Sequence, residues 1–174
     1  MKFISNEGGA ILGEAVAETG LYLRAGRIED AEAGAALLRR SIIELCNADH
    51  RGDKEVIADW IANKTPEDWK SWLRNTDNIL RVAIIDGCIV GVGMIDRTGM
   101  VRLNYVLPDA RGSGVSRALM TWMEAEAVRM GHEVCRLEST ITARDFYEAR
   151  GFVYEGVNSR CLMMRKSLSE DQGA

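Results

Sequence analysis

A glycine-containing turn between a strand and a helix is the stretch best suited to chemistry. Residues 106–116 read VLPDARGSGVS, and an amphipathic helix follows at once. A turn that enters a helix directly presents unpaired backbone N–H groups and the positive end of the helix dipole, and both favour a phosphate. Glycine lets the oxygens approach the backbone, and Arg111 can add a charged contact. The stretch predicts a phosphate-binding turn, although a simple strand-to-helix connection explains the same residues.

The turn matches neither of the two best-known phosphate loops. A P-loop ends in Gly-Lys-Ser/Thr, which is absent from this sequence. The dinucleotide pattern G-x-G-x-x-G also fails, because Gly112-Ser113-Gly114 is followed by Val115-Ser116-Arg117. A phosphate site here therefore belongs to another class of loop.

A second stretch, ARDFYEARGF at 143–152, predicts a short helix that Gly151 ends, with Phe146 in the core and Tyr147 facing a cleft. Together the two stretches resemble the GNAT superfamily of N-acyltransferases. The family's phosphate loop reads Arg/Gln-x-x-Gly-x-Gly/Ala, and Arg111 to Ser116 match it except that Ser116 replaces the last small residue. The family's late helix commonly reads Ala, an aromatic-Tyr pair and Gly-Phe, as this stretch does.

The resemblance implies an α+β (mixed α/β) fold with a twisted, mostly antiparallel central sheet, splayed between strands 4 and 5 and flanked by helices. The resemblance spans about Leu21 to Met164. One domain is expected over 21–174, because a short apolar alternation begins at Leu21, and the Gly- and Ala-rich residues within 1–20 are expected to form an arm or a short extra helix. The implied cosubstrate is acetyl-CoA or another short acyl-CoA, whose acyl group passes to a primary amine by direct attack. The acceptor stays open between a small amine, an antibiotic, an amino acid and a protein amine.

The resemblance also implies roles for individual residues. Tyr147 would be the general acid that protonates the departing thiolate. The backbone of one strand would pair with the pantetheine arm, over Asn104, Tyr105, Val106 and Leu107. Backbone amides would hold the pyrophosphate beside Arg111, over Gly112, Ser113, Gly114, Val115, Ser116 and Arg117. Many members bind the cofactor amide with an Asn after the fifth strand, and here the hydroxyl of Thr142 is the substitute.

The general base is less well defined. Some family members carry a carboxylate on the fourth strand, but residues 101–105 read VRLNY and contain none. Glu138, at the carboxyl end of the predicted fifth strand, is the candidate base. A solvated strand-end carboxylate without a role, or a water relay, remains an alternative.

Two further clusters have both a functional and a structural interpretation. Cys46, Asp49 and His50 have helical spacing and could offer metal ligands, but a fourth ligand is missing, so no metal is expected. The resemblance places this loop beside the acceptor, where Asp49 or His50 could contact it. Three tryptophans could form an aromatic surface for a cationic acceptor, although helical spacing favours the core: Trp60, Trp69 and Trp72.

Hydrophobic periodicity and turn residues predict the elements that position these groups. Strands are expected at 21–24, 79–85, 88–95, 101–107, 133–138, 152–154 and 161–164. Helices are expected after Asp30, over 53–62, from Thr65-Pro66, from 113 or 114 to Gly131, and over 143–150. An Asp-Gly turn joins the second and third strands.

Composition narrows the function classes. The 174 residues carry 22 Lys+Arg and 26 Asp+Glu, a net charge of −4, which argues against a nucleic-acid partner. No apolar run approaches the roughly 18–20 residues of a membrane span. The N-terminus lacks an apolar signal core, and the four cysteines lie far apart without a C-x-x-C pair, which is typical of reduced thiols, so a cytoplasmic protein is expected.

Two alternatives to an enzyme stay open: an acyl-CoA-binding sensor without turnover, and a module for another ligand. A homodimer is possible in this family.

Overall fold

The computed structural model describes residues 20–158 and 161–168, so the predicted arm at 1–20 lies, except for Gly20, outside the described residues. The strands are β1 Tyr22–Ala25, β2 Asn78–Ile85, β3 Cys88–Asp96, β4 Met100–Val106, β5 Val134–Ser139, β6 Val153–Asn158 and β7 Cys161–Ser167. The helices are α1 Ala31–Leu45, α2 Asn47–His50, α3 Lys54–Ile61, α4 Pro66–Arg74, α5 Val115–Arg129 and α6 Arg144–Glu148. Short 3₁₀ turns occupy Ile28–Asp30 and Pro108–Ala110.

All seven strands form one sheet in the order β1-β2-β3-β4-β5-β7-β6. Every neighbouring pair is antiparallel except β4 and β5, which run parallel. These two strands pair only at Met100 with Arg136 and at Val101 with Leu137, and then diverge. The predicted mixed α/β fold, with a sheet splayed between its fourth and fifth strands, is confirmed.

Local sequence signals explain several element boundaries. Thr65 begins α4 with a capping box, in which its hydroxyl accepts the Asp68 N–H and the Asp68 carboxylate accepts the Thr65 N–H. The tight turn between β2 and β3 has positive φ at both central residues, which is the geometry that Asp-Gly favours. Asp30 differs from expectation, because its carboxylate binds Arg24 and the Arg27 N–H instead of capping α1.

The sheet buries a different hydrophobic cluster on each face. On one face, α5 and α6 pack against the sheet through residues that include Leu119, Met123 and Tyr147. On the other, α1 and α4 pack through residues that include Leu38 and Trp69. Alternate side chains of the strands point to opposite faces, so the strands contribute to both clusters. The divergence of β4 from β5 therefore opens a gap in a sheet that is covered by helices on both faces. No helix in the described ranges is long and apolar enough to cross a membrane.

Candidate functional site

A cleft of about 620 Å³ lies where β4 and β5 separate. Its walls come from the end of α1, the strand β4, the turn before α5, the end of β5 and the helix α6. The lining includes nearly all of the residues predicted for the site: Asn104, Tyr105, Val106, Arg111, Gly112, Ser113, Gly114, Val115, Ser116, Arg117, Glu138, Thr142 and Tyr147. Residues far apart in the sequence therefore share one cavity.

The turn before α5 has the properties of an anion site. Gly112 and Gly114 have φ of +78° and +83°, a region that L side chains rarely adopt. Gly114 is the N-cap of α5, so no side chain caps the helix, and its first turn has no acidic residue. The first residues of this 15-residue helix line the cleft. Their backbone N–H groups have no carbonyl partner within the helix, so a bound anion can accept hydrogen bonds from them.

β4 offers a free backbone edge on the same cleft. Its other edge is paired with β3, but beyond Val101 it has no strand partner on the β5 side among the described residues. Leu107, predicted to extend this edge, is placed differently. Its N–H donates to the Val90 carbonyl, its side chain packs against both hydrophobic clusters, and it does not line the cleft.

Tyr147 reaches the cleft from α6 and is almost completely buried. Its ring packs edge-on against Phe146 and Phe152, with centroids 5.2 and 5.8 Å away. Burial raises the pKa of Tyr147 to about 12, and a hydrogen bond from Asn104 opposes part of that rise. The phenol is therefore neutral at pH 7. Phe152 is the fully buried partner ring, whereas Phe146, expected in the core, is only half-buried and lines the cleft.

Asn104 contributes a side chain that the sequence did not single out. Its Nδ2 lies 3.1 Å from Tyr147 Oη and 3.0 Å from Ser116 Oγ. Ser116 Oγ also lies 3.2 Å from Asn104 Oδ1. A polar contact therefore spans the gap and joins β4, the start of α5 and α6. The one feature of the sequence that could have indicated this contact was Ser116, which replaces the small residue at the end of the family's loop.

Glu138 lies on the rim of the cleft at the end of β5. Its side chain is exposed, and Oε1 accepts a 2.8 Å hydrogen bond from Asn158 Nδ2. The carboxylate can therefore exchange protons with solvent and with a molecule in the cleft.

The short helix α2, which carries Asp49, is bonded to a segment that lines the cleft. The Asp49 carboxylate accepts hydrogen bonds from the N–H groups of Ile141 and Thr142, at 2.6 and 3.2 Å, and from the Thr142 hydroxyl at 2.6 Å. These bonds join α2 to the connection between β5 and α6. The Thr142 hydroxyl, predicted to bind the cofactor amide, donates its proton to Asp49 and keeps only acceptor capacity for a ligand.

The neighbours of Asp49 have structural roles. His50 is buried, with Nδ1 accepting the Gly52 N–H and Nε2 contacting the Ile42 carbonyl, so both ring nitrogens are occupied. Burial raises the pKa of the Cys46 thiol to about 12, so the sulfur is protonated at pH 7. Among the described residues, no group of three His, Cys, Asp or Glu side chains could hold a metal ion.

The three tryptophans divide between the core and the cleft side. Trp69 is fully buried and donates its indole N–H to the Arg27 carbonyl, and Trp72 packs against the same cluster. Trp60 is half-buried beside the phenol of Tyr105, which lines the cleft. Burial raises the pKa of that phenol, so it too is neutral at pH 7.

Comparison with family models gives a match over residues 46–161, more than half of the chain, to a family described as acetyltransferase (GNAT) domain. The match begins in the loop of Asp49 and includes the phosphate-type turn and α6. A comparison with curated protein sequences finds no match.

Solved structures share the fold over most of its length. A GCN5-related N-acetyltransferase from Rhodopseudomonas palustris superimposes with a TM-score of 0.76 at 25% identity, covering 89% of this chain and 99% of the other. The PaiA N-acetyltransferase from Thermoplasma acidophilum, in complex with coenzyme A, superimposes with a TM-score of 0.72 at 21% sequence identity, covering 84% of this chain and 98% of the other. The yncA protein from Salmonella typhimurium, with acetyl-CoA, superimposes with a TM-score of 0.60 at 18% sequence identity, covering 88% of this chain and 97% of the other.

Replacement of Asp49 tests whether its carboxylate holds the connection between β5 and α6 in place. We expect Asp49→Ala to lower the free energy of unfolding by about 1–3 kcal/mol, because hydrogen bonds to a charged group are lost. Hydrogen exchange should rise at the amides of Ile141 and Thr142. Asp59→Ala, an exposed α3 position, is the control and should change neither quantity. Unchanged exchange at both amides would contradict the assignment.

Proposed function

The chain belongs to the GNAT acetyltransferase family, and on this premise we propose that it transfers an acetyl group from acetyl-CoA to a primary amine. The observation that supports this most directly is the meeting of two features in one cleft. An uncapped helix start suits an anionic cosubstrate, and a buried, neutral phenol suits a departing thiolate. The alternative of a sensor without turnover has no need of a proton donor at that position.

The cofactor would lie along β4. Its pyrophosphate would accept from the amides at 112–117, with Arg111 nearby, and its pantetheine arm would pair with the free edge of β4 at 104–106. Two structures of the same fold hold coenzyme A or acetyl-CoA, which supports this cosubstrate. The thioester would then lie near Tyr147, because α6 faces that edge across the cleft.

The reaction needs three proton transfers. The ammonium form of the amine first loses a proton to a base, and its lone pair then forms a C–N bond to the thioester carbonyl carbon. The C–S bond breaks with its electron pair on sulfur, and Tyr147 gives its phenolic proton to that sulfur, so free CoA leaves as a thiol. The nitrogen then loses its second proton to solvent. The Tyr147 phenolate regains a proton from solvent before the next turnover.

Glu138 is the proposed base, because its exposed carboxylate lies on the rim where the amine would enter. An amine with a pKa near 10 is mostly protonated at pH 7 and cannot attack in that form. A carboxylate at the rim can attract the ammonium and accept its proton directly or through water. The hydrogen bond from Asn158 keeps the carboxylate in place.

The proposed phosphate site is tested by Gly114→Glu. The side chain is disfavoured at a φ of +83° and its negative charge lies at the anion site, so we expect loss of CoA binding by calorimetric titration. Arg111→Ala should weaken binding by about 1–3 kcal/mol, as for one charge-assisted contact. Gly87→Glu is the matched control, because Gly87 has φ of +78° in the turn between β2 and β3. Normal CoA affinity in folded Gly114→Glu would overturn the assignment.

The proposed acid is tested by Tyr147→Phe. The ring contacts are kept and only the proton donor is lost, so CoA affinity should stay within a few-fold while the chemical step slows by roughly 10²–10⁴. Single-turnover rates are measured with acetyl-CoA and the best substrate from an alkylamine, an amino acid, an aminoglycoside and a lysine peptide. Tyr22→Phe, at the far edge of the sheet, should match wild type. A loss below threefold would leave Tyr147 as a packing residue only.

The proposed base is tested by Glu138→Gln. We expect a lower rate on the same amine and loss of the acidic limb of the pH–rate profile, because the amide cannot accept the proton. CoA affinity should not change. Glu133→Gln, at the opposite end of β5, provides the control for charge. An acidic limb that survives unchanged would point to a water relay instead.

A further inference from the structure

Within residues 20–158 and 161–168, Asn104 is the one polar side chain that forms hydrogen bonds from the divergent part of the sheet to both α5 and α6. Its amide nitrogen contacts Tyr147 Oη at 3.1 Å and Ser116 Oγ at 3.0 Å. Among the described residues no other side chain forms a hydrogen bond with Tyr147 Oη. The amide contact is therefore the only described constraint on how the phenol presents its proton.

Donation by the amide has a directional consequence. An N–H that points at Oη occupies one of its lone pairs, so the phenol cannot direct its own proton toward that nitrogen. The proton must then lie on another side of the oxygen, and the cleft is where an acceptor can enter. The same donor also stabilises the phenolate that remains after the proton has gone.

We propose that Asn104 is a positioning residue for the general acid, donating to Tyr147 Oη so that the phenolic proton points into the cleft toward the leaving sulfur. The inference rests on the proposed role of Tyr147. In the transfer step the C–S electron pair goes to sulfur, sulfur takes the phenolic proton, and the amide N–H stays on Asn104 as donor to the phenolate. Asn104 therefore neither gains nor loses a proton.

Ser116 keeps the amide in place. Its hydroxyl oxygen lies 3.0 Å from Nδ2 and 3.2 Å from Oδ1 of Asn104, close enough to pair with either end of the amide. A glycine or alanine at this position would leave Asn104 without that partner. The serine that departs from the family's loop pattern thus has a specific role in this chain, which is to hold the side chain that orients the acid.

Two substitutions of Asn104 test whether its side chain must donate a hydrogen bond to Tyr147 Oη or only occupy the same space. Asn104→Leu removes the hydrogen bond, and we expect the single-turnover rate to fall about tenfold with CoA affinity unchanged within threefold. Asn104→Asp has the same shape, but its carboxylate only accepts, so it draws the phenolic proton away from sulfur. We expect it to be at least as slow as Asn104→Leu. Ser116→Ala should give a smaller loss, of a few-fold. Rates are measured with acetyl-CoA and the amine used for Tyr147→Phe.

A double-mutant cycle with Tyr147→Phe distinguishes positioning from a general effect on structure. Once the phenol is gone, Asn104→Leu should cause no further loss of rate. An equal tenfold loss in both backgrounds, or an Asn104→Asp variant as fast as wild type, would overturn the inference and leave the proposed function intact. A wild-type protein that binds no CoA, or a Tyr147→Phe variant as fast as wild type, would overturn the proposed mechanism itself.

Discussion

The parting of β4 from β5 is the constraint on which the rest of the site depends. Two residue pairs hold the parallel strands together, and beyond them each strand keeps its other neighbour, β3 or β7. Backbone groups of a strand need partners or solvent, so the gap leaves β4 with an edge that an extended ligand can complete. β4 contributes buried residues to the hydrophobic clusters on both faces, and β5 packs in one of them, so both strands stay anchored on either side of the gap.

Polar contacts tie α6 and the residues before it to other elements at two places. Asp49 of α2 binds the connection that leads into α6, and Asn104 of β4 contacts both Ser116 and Tyr147. Both contacts link elements that the sheet itself does not connect. They fix where α6 and its phenol lie relative to α2 and β4.

The lining of the cleft combines groups of different charge. The turn before α5 presents amide donors and the exposed side chains of Arg111 and Arg117. The same lining holds the phenols of Tyr105 and Tyr147, which are neutral because burial raises their pKa values, and the exposed carboxylate of Glu138. An anionic group therefore fits the turn, and a cationic group fits the carboxylate.

The sequence by itself determined the features that arise within a few neighbouring residues. The glycine turn, the capping box of Thr65 and the Asp-Gly hairpin are local, because each depends on backbone angles and hydrogen bonds inside one short segment. Only the tertiary structure decided which side chains meet in the gap. Asn104 and Tyr147 are 43 residues apart, and Asp49 and Thr142 are 93 apart. Strand register and helix packing set such contacts, since both depend on residues that no local pattern connects.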